Sequence, residues 1–363
     1  MPFREHWRAL RLDSFYRFLG GESECVVVRN YTFRGFLRGS AGHGTQQCSR
    51  YPRRNRSPPV KGPSARQRTD RRAWVKRYET PRETRYTSPM PHQTIFITGA
   101  SSGIGRALAL ELAKKGAHVA IAARRREVLE ELAREIRSNG GGAATVVPVD
   151  VSDPQAAKEA VLQVERDLGA LDMVIANAGT SSRELAATLS WDEVSRVLDV
   201  NLRGALATIV AAIPIFVAQQ RGHVVGVSSL AGFFGVPKHA AYSSSKAALT
   251  TFLASIRIDL APIGIRVTDV QPGFVETPMT AAMPSPTPFL WTAEKAARVI
   301  VRRLERAPRS IAFPWPLALA TRLAPLLPAI VVEPILRAVT SDQRAPAHHP
   351  ELAQERIRHY SFK

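Results

Sequence analysis

Tyr242 and Lys246 stand four residues apart in Tyr-Ser-Ser-Ser-Lys, inside a stretch whose periodicity predicts a helix over Ala240–Ala261. Residues at i and i+4 share a helix face. A phenol titrates near pH 10 and is a poor base at neutral pH, but an ammonium on the same face stabilises its anion. The pair can therefore act as a general acid or base, giving or taking a proton as charge changes on a neighbouring oxygen. Upstream, Thr98-Gly-Ala-Ser-Ser-Gly-Ile-Gly105 sets Gly99, Gly103 and Gly105 between an apolar strand-like run and a helical one. Such a turn lets the backbone approach a pyrophosphate, and the following helix offers N–H groups and the positive end of its dipole. Taken singly, each feature has a plainer reading. A tyrosine four residues before a lysine is usually a packed ring beside a solvated charge.

The features come in a fixed order, and that order carries the argument. Asn177-Ala-Gly179 follows the fourth apolar run, and Asn201 lies in Asp-Val-Asn-Leu within a long helical stretch. Ser229 closes Val-Val-Gly-Val-Ser-Ser, thirteen residues before Tyr242, and Pro272-Gly-Phe-Val-Glu-Thr277 ends a sixth run. With its G-x-x-x-G-x-G loop, this set resembles the classical short-chain dehydrogenase/reductase family, densely from Thr94 to Thr277 and loosely to Pro314.

The resemblance implies a nicotinamide-dependent oxidoreductase that moves a hydride between the cofactor and a carbonyl or secondary alcohol. Tyr242 would be the general acid in reduction and the base in oxidation. Lys246 would lower its pKa and hold the nicotinamide ribose, Ser229 would orient the substrate oxygen, and Asn201 would hold a water relaying protons to Lys246. The cofactor would lie against Gly99, Ser101, Ser102, Gly103, Ile104 and Gly105, then Asp150 and Val151, then Asn177, Ala178 and Gly179. Beyond these it would meet Tyr242, Lys246, Pro272, Gly273, Val275 and Thr277. An acidic residue at the end of the second strand would favour NAD(H). Here Ala123 takes that position and Arg124 follows, which suits a 2′-phosphate, so NADP(H) is favoured over NAD(H). The carboxylate of Asp150 has a second reading, as the N-cap of the next helix.

These residues need a scaffold, and the chain supplies one in alternating runs. Strands are predicted at Thr94–Thr98, His118–Ala122, Ala144–Pro148, Asp172–Ala176, His223–Ser228 and Arg266–Gln271. Helices are predicted at Gly103–Lys115, Arg125–Ser138, Pro154–Leu168, Trp191–Gln219 and Ala240–Ala261. Repeated βα units make an α/β fold, a doubly wound parallel sheet of about seven strands (Rossmann-type) in a single domain. That domain is placed at 90–314, after a basic extension at 1–89 and before an apolar-then-polar extension at 315–363. Family members usually pair through the two long helices, so a homodimer or homotetramer is expected.

Composition narrows the remaining classes. Of the formal charge of +19, residues 1–89 hold 20 Lys and Arg against 7 Asp and Glu, so the excess belongs mainly to this arm. An arm this basic and proline-punctuated buries little and is expected to be disordered. Nucleic-acid binding would be confined to it, with Tyr51, Trp74 and Tyr78 as stacking groups. Both cysteines, Cys25 and Cys48, also fall there, leaving the rest without disulfide, thiolate nucleophile or thiolate metal site; no metal is expected and a cytoplasmic location is. The uncharged run 204–220 is near bilayer-spanning length but contains Pro214 and sits between strands, so a core or subunit-facing helix is expected. Ile311–Val332 is apolar but broken by Arg322 and four prolines. It suits a cover over the substrate pocket, a subunit contact or a peripheral membrane contact. Leu230, Phe233, Phe234, Phe274, Met279, Met283, Phe289 and Trp291 are expected near a lipophilic carbonyl or alcohol substrate. A cofactor-binding regulatory protein without turnover is the alternative.

Overall fold

Strand β1, Thr94–Thr98, is buried along its whole length, and its side chains alternate between two cores as the period of a strand demands. Ile95 and Ile97 enter one core and Phe96 the other. A run apolar on both faces belongs inside a parallel sheet covered twice. The computed structural model describes residues 93–139, 142–281 and 287–340. The basic extension, both cysteines, Met283 and the polar end of the chain lie outside those residues.

Six further strands follow: β2 His118–Ala123, β3 Ala144–Pro148, β4 Met173–Ala176, β5 Gly222–Val227, β6 Ile265–Pro272 and β7 Ser310–Phe313. They form one sheet in the order β3-β2-β1-β4-β5-β6-β7, with every neighbouring pair parallel. The helices are α1 Gly103–Lys114, α2 Arg126–Ser138, α3 Pro154–Leu168, α4 Trp191–Leu198, α5 Ala205–Gln219 and α6 Ala240–Leu260. After them come the short α7 Pro278–Ala281, then α8 Ala293–Leu304, α9 Trp315–Leu323 and α10 Ala329–Thr340. Leu108, Leu129 and Ile300 from α1, α2 and α8 fill the core with Ile95; Val161, Phe216 and Leu253 from α3, α5 and α6 fill the one with Phe96. The strand order reverses between β1 and β4, which opens a crevice beyond their carboxyl ends.

Several local details differ from the sequence expectations. Strand β5 ends at Val227, so Ser228 and Ser229 lie beyond it in the turn that leads to Leu230–Gly232. Asp150 is not the N-cap of α3. That cap is Asp153, whose carboxylate accepts from Gln155 N and Ala156 N, while Asp150 accepts from the backbone and hydroxyl of Ser152. The stretch Trp191–Gln219 is one continuous helix, but Asp199–Gly204 within it is a π turn. Among the described residues it alone is long and apolar enough to cross a membrane. Ile209, Ala212 and Phe216 on it pack into the sheet core, so its hydrophobicity serves the fold. The apolar stretch Ile311–Val332 is divided between β7, α9 and the start of α10.

One buried group makes the fold acid-sensitive. His223 in β5 bonds Thr268 through Nε2 at 2.9 Å, and Thr268 in turn donates to Pro308 O at 2.6 Å. Burial first, and the Arg266 charge second, hold the imidazole pKa down at about 3 from 6.5. Below pH 6.5 the unfolded chain takes up a proton there that the folded chain refuses. Stability is therefore lost as pH falls from 6.5 towards 3, by roughly 1.4 kcal/mol per unit. Urea unfolding at pH 6.5 and 5 is expected to show wild type losing about 2 kcal/mol more than His223→Gln. Equal losses would remove this histidine from the account.

Candidate active site

A cleft of about 980 Å³ opens at the carboxyl ends of β1, β2, β4, β5 and β6. Its floor at the β1 end is the glycine loop. Gly103 has φ of +55°, a conformation that side-chain-bearing residues rarely adopt. Gly105 is required by a close approach instead: a Cβ there would stand 2.3 Å from Gly99 O and 2.4 Å from Asn177 Nδ2. The missing side chain lets the first turn of α1 sit against the loop with its N–H groups towards the cleft. Thr98 Oγ1 accepts from Asn177 N and Ala178 N, at 3.0 and 3.1 Å, and Asn177 Nδ2 donates to Thr98 O at 2.9 Å. The loops after β1 and β4 are thus clamped together. The sequence reading passed over Thr98; its only signal is a hydroxyl closing an otherwise apolar strand.

At the far end stand Ser229, Tyr242 and Lys246. Ser229 follows β5 and bonds Tyr242, which α6 delivers from the opposite wall. Burial pushes the Tyr242 phenol above its ordinary value, and the bond to Ser229 pulls it back in part. Lys246 lies one turn along α6, its Nζ 5.8 Å from the Tyr242 ring centroid and donating to Val227 O at 2.8 Å. Burial lowers its pKa to about 8, against the attraction of Asp269. Asp269 is buried among polar partners: Ser228 Oγ donates to it at 2.5 Å and Gln271 Nε2 at 2.6 Å, while Arg322 Nη2 on α9 donates to Gln271 Oε1.

Asn201 occupies the π turn, fully buried. Its Nδ2 donates to Thr180 O and Ser245 Oγ, and its Oδ1 accepts from Thr180 N at 2.7 Å. Ser245 Oγ continues the chain to Tyr242 O at 2.7 Å. The amide side chain is thus committed to holding the loop after β4 against α6. Such turns interrupt helices chiefly where a backbone group has another use.

Of the residues assigned to the cofactor from sequence, Gly105 alone does not line the cleft; it sits behind the loop that does. Ala123 ends β2. Arg124 Nη1 lies 3.8 Å from Asp150 Oδ2, and Arg125 Nη2 donates to Ser101 Oγ at 3.2 Å. Arg125 was missed because its position reads equally well as the start of a solvated helix. His239 was missed too. It stands three residues before Tyr242, edge-on to that ring at 6.4 Å between centroids, with Nδ1 3.2 Å from Ser181 Oγ. Burial, followed by the Arg183 charge, lowers its pKa, so a neutral imidazole faces the cleft.

The apolar residues expected around the substrate are mostly elsewhere. Leu230 is in the interior, Trp291 stacks on Phe313 at 4.9 Å, and Phe233 lies under the Arg322 guanidinium; of the described ones only Met279 lines the cleft. Core packing claimed them, as side-chain direction within a loop cannot be read from spacing. The cleft wall beside His239 is polar instead, with Ser181, Ser182 and Arg183.

This arrangement can hold a dinucleotide along the glycine loop and bring a hydroxyl, a phenol and an ammonium to one point at its end. Comparison with known proteins gives the family. The family model described as short chain dehydrogenase matches residues 93–287. A Myxococcus xanthus protein described as an uncharacterized oxidoreductase is 44% identical over 241 residues, 66% of this chain and 94% of its own. Among solved structures, a short-chain type dehydrogenase/reductase from Mycobacterium marinum aligns with a TM-score of 0.57 at 29% identity, over 61% of this chain and 94% of its own. An alcohol dehydrogenase from the archaeon Thermococcus sibiricus, complexed with 5-hydroxy-NADP, aligns with a TM-score of 0.56 at 27% identity, over 61% and 96%.

Proposed function

This chain belongs to the short-chain dehydrogenase family, an oxidoreductase family that uses NAD(P), and from that premise we propose that it interconverts a carbonyl and a secondary alcohol with NADP(H). The observation that carries the reading is the meeting of Ser229, Tyr242 and Lys246 at the end of the glycine-loop cleft. The nicotinamide supplies or accepts the hydride at the substrate carbon. As negative charge builds on the substrate oxygen, Tyr242 Oη gives it a proton, and Ser229 Oγ donates a hydrogen bond that fixes it. Lys246, which donates to Val227 O here, would stabilise the phenolate left behind and would help hold the nicotinamide ribose. A water held at Asn201 would return the proton through Lys246.

Arg124 and Arg125 support NADP(H): no carboxylate ends β2, and two guanidinium groups flank Ser101 and Asp150 where a 2′-phosphate would lie. Met279 on the cleft wall supports a lipophilic substrate. The absence of cysteine from residues 90–363 supports a cytoplasmic location. Exposed Val210 and Val217 on α5 and Ile258 on α6 support pairing of two copies through these helices.

The test is a screen of lipophilic ketones and alcohols with NADPH/NADP and NADH/NAD side by side. Turnover with NADPH preferred is expected. In the double variant Arg124→Ala/Arg125→Ala the ratio of kcat/KM for NADPH over NADH should fall by roughly ten- to a hundredfold, the worth of lost charged hydrogen bonds. A wild type that prefers NADH, or a ratio the double variant leaves unmoved, would overturn the cofactor assignment.

A further inference from the structure

Asp269 is a buried carboxylate that the reaction above leaves without a part. It lies in β6, 3% exposed, and its register partner in β5 is Gly226. Ser228 Oγ donates to Asp269 Oδ1 at 2.5 Å and Gln271 Nε2 to Oδ2 at 2.6 Å. Arg322 on α9 donates from Nη2 to Gln271 Oε1 at 2.9 Å. Arginine only donates, so it draws the carbonyl end of the Gln271 amide towards itself and leaves the NH2 end for the carboxylate. Burying a carboxylate is costly, and an apolar side chain would join β5 to β6 without that cost. The place of the charge is therefore informative.

That place is directly behind the reacting groups. Ser228 is bracketed by Val227, whose carbonyl accepts from Lys246 Nζ at 2.8 Å, and by Ser229, which bonds Tyr242. Ser228 N donates to Val270 O at 2.8 Å and Ser229 Oγ to Pro272 O at 3.4 Å, so this turn is pinned to β6 along its length. Around the Lys246 ammonium, α6 sets the Tyr242 phenol, with the neutral His239 beyond that ring, and β6 sets Asp269. A Cβ at Gly179 would stand 3.5 Å from Lys246 Nζ and 3.6 Å from Oδ1 of the uncharged Asn201. Arg322 is set back behind Gln271.

We propose that Asp269 is a positioning residue of this site, its carboxylate keeping Lys246 charged and its bond to Ser228 holding the turn that carries Ser229. This role rests on the reaction proposed above, in which Lys246 must be an ammonium to stabilise the Tyr242 phenolate. Burial lowers the lysine pKa to about 8, against the attraction of Asp269. Without the carboxylate the value falls further, and near neutral pH a growing share of Lys246 is an amine that no longer steadies the phenolate.

The test is an NMR titration of the full chain labelled with carbon-13 at lysine Cε, the Lys246 signal being identified by its loss in Lys246→Arg. Wild type should titrate at about 8. Asp269→Asn keeps the shape and removes the charge, so its midpoint should fall by about one unit or more. If that variant is unfolded at the working temperature, Asp269→Ser makes the same removal with room for a water between Ser228 and Gln271. Ser228→Ala keeps the carboxylate. Its midpoint should stay with wild type while kcat falls by roughly three- to tenfold, the worth of a lost hydrogen bond. The alkaline limb of kcat should follow the titration in each protein. A Lys246 midpoint unmoved by loss of the carboxylate, or moved as far by Ser228→Ala, would overturn the proposal. The titration needs neither cofactor nor substrate. A midpoint that shifts in a chain turning over no carbonyl would sink the proposed reaction and keep Asp269 as the charge partner of Lys246.

Discussion

Replacing Tyr242 with Phe is expected to lower kcat by about a thousandfold, within the range that a positioned proton donor contributes. The substitution removes one oxygen and keeps the ring that packs edge-on against His239. Ser229 loses its partner, but its hydroxyl still accepts from Ala231 N at 3.1 Å and so keeps its place. Cofactor affinity should change little, since the glycine loop, Arg124 and Arg125 are untouched. The measurement is steady-state turnover beside a fluorescence titration of NADPH. Turnover within tenfold of wild type would remove Tyr242 from the chemistry. The loss should appear in kcat more than in KM, because the proton is needed only as charge develops in the transition state.

Replacing Gly105 with Ala should have the largest effect on binding. The added carbon meets Gly99 O at 2.3 Å and Asn177 Nδ2 at 2.4 Å, both held by the clamp through Thr98, so neither can yield freely. The first turn of α1 must move. Overpacking of this kind costs about 1–3 kcal/mol. The displaced N–H groups should weaken NADPH binding by about a hundredfold, as a misplacement of an ångström can. Gly169→Ala is the control. Gly169 also has positive φ, +69°, but nothing lies within 4 Å of its Cβ position, so it should cost stability and leave NADPH affinity unmoved. If both variants bind NADPH as wild type does, the glycine loop does not hold the cofactor.

The sheet was legible because its central strands are buried on both faces, and a run such as Ile95–Ile97 has no other stable setting in a chain punctuated by helices. The candidate site was legible as an ordered set of glycines, Asn177, Asn201, Ser229, Tyr242 and Lys246, each at a fixed place in the succession of elements. What escaped the sequence was everything set by side-chain direction. Phe233 and Trp291 satisfy a lipophilic lining by type, yet the fold turns one under Arg322 and stacks the other on Phe313. Asp150 and Asp153 are both credible caps by spacing, and only the backbone path after β3 selects Asp153. The π turn around Asn201 has no signature in residue type. The buried set of Asp269, Ser228, Gln271 and Arg322 joins two strand ends to α9 across the fold, a juxtaposition that spacing along the chain cannot show.

The account stands on hydride transfer at the Ser229–Tyr242–Lys246 end of the cleft. Its most direct test is isotopic. The full chain is incubated with NADPH deuterated at the nicotinamide C4, separately on each face, and with the ketone that the screen identifies. The product alcohol is then analysed by mass spectrometry. One of the two labelled cofactors should deliver one deuterium to the carbinol carbon, and the Tyr242→Phe variant should yield almost none in the same time. Product without deuterium from either labelled cofactor, or deuterated product formed as fast by the variant, would contradict it.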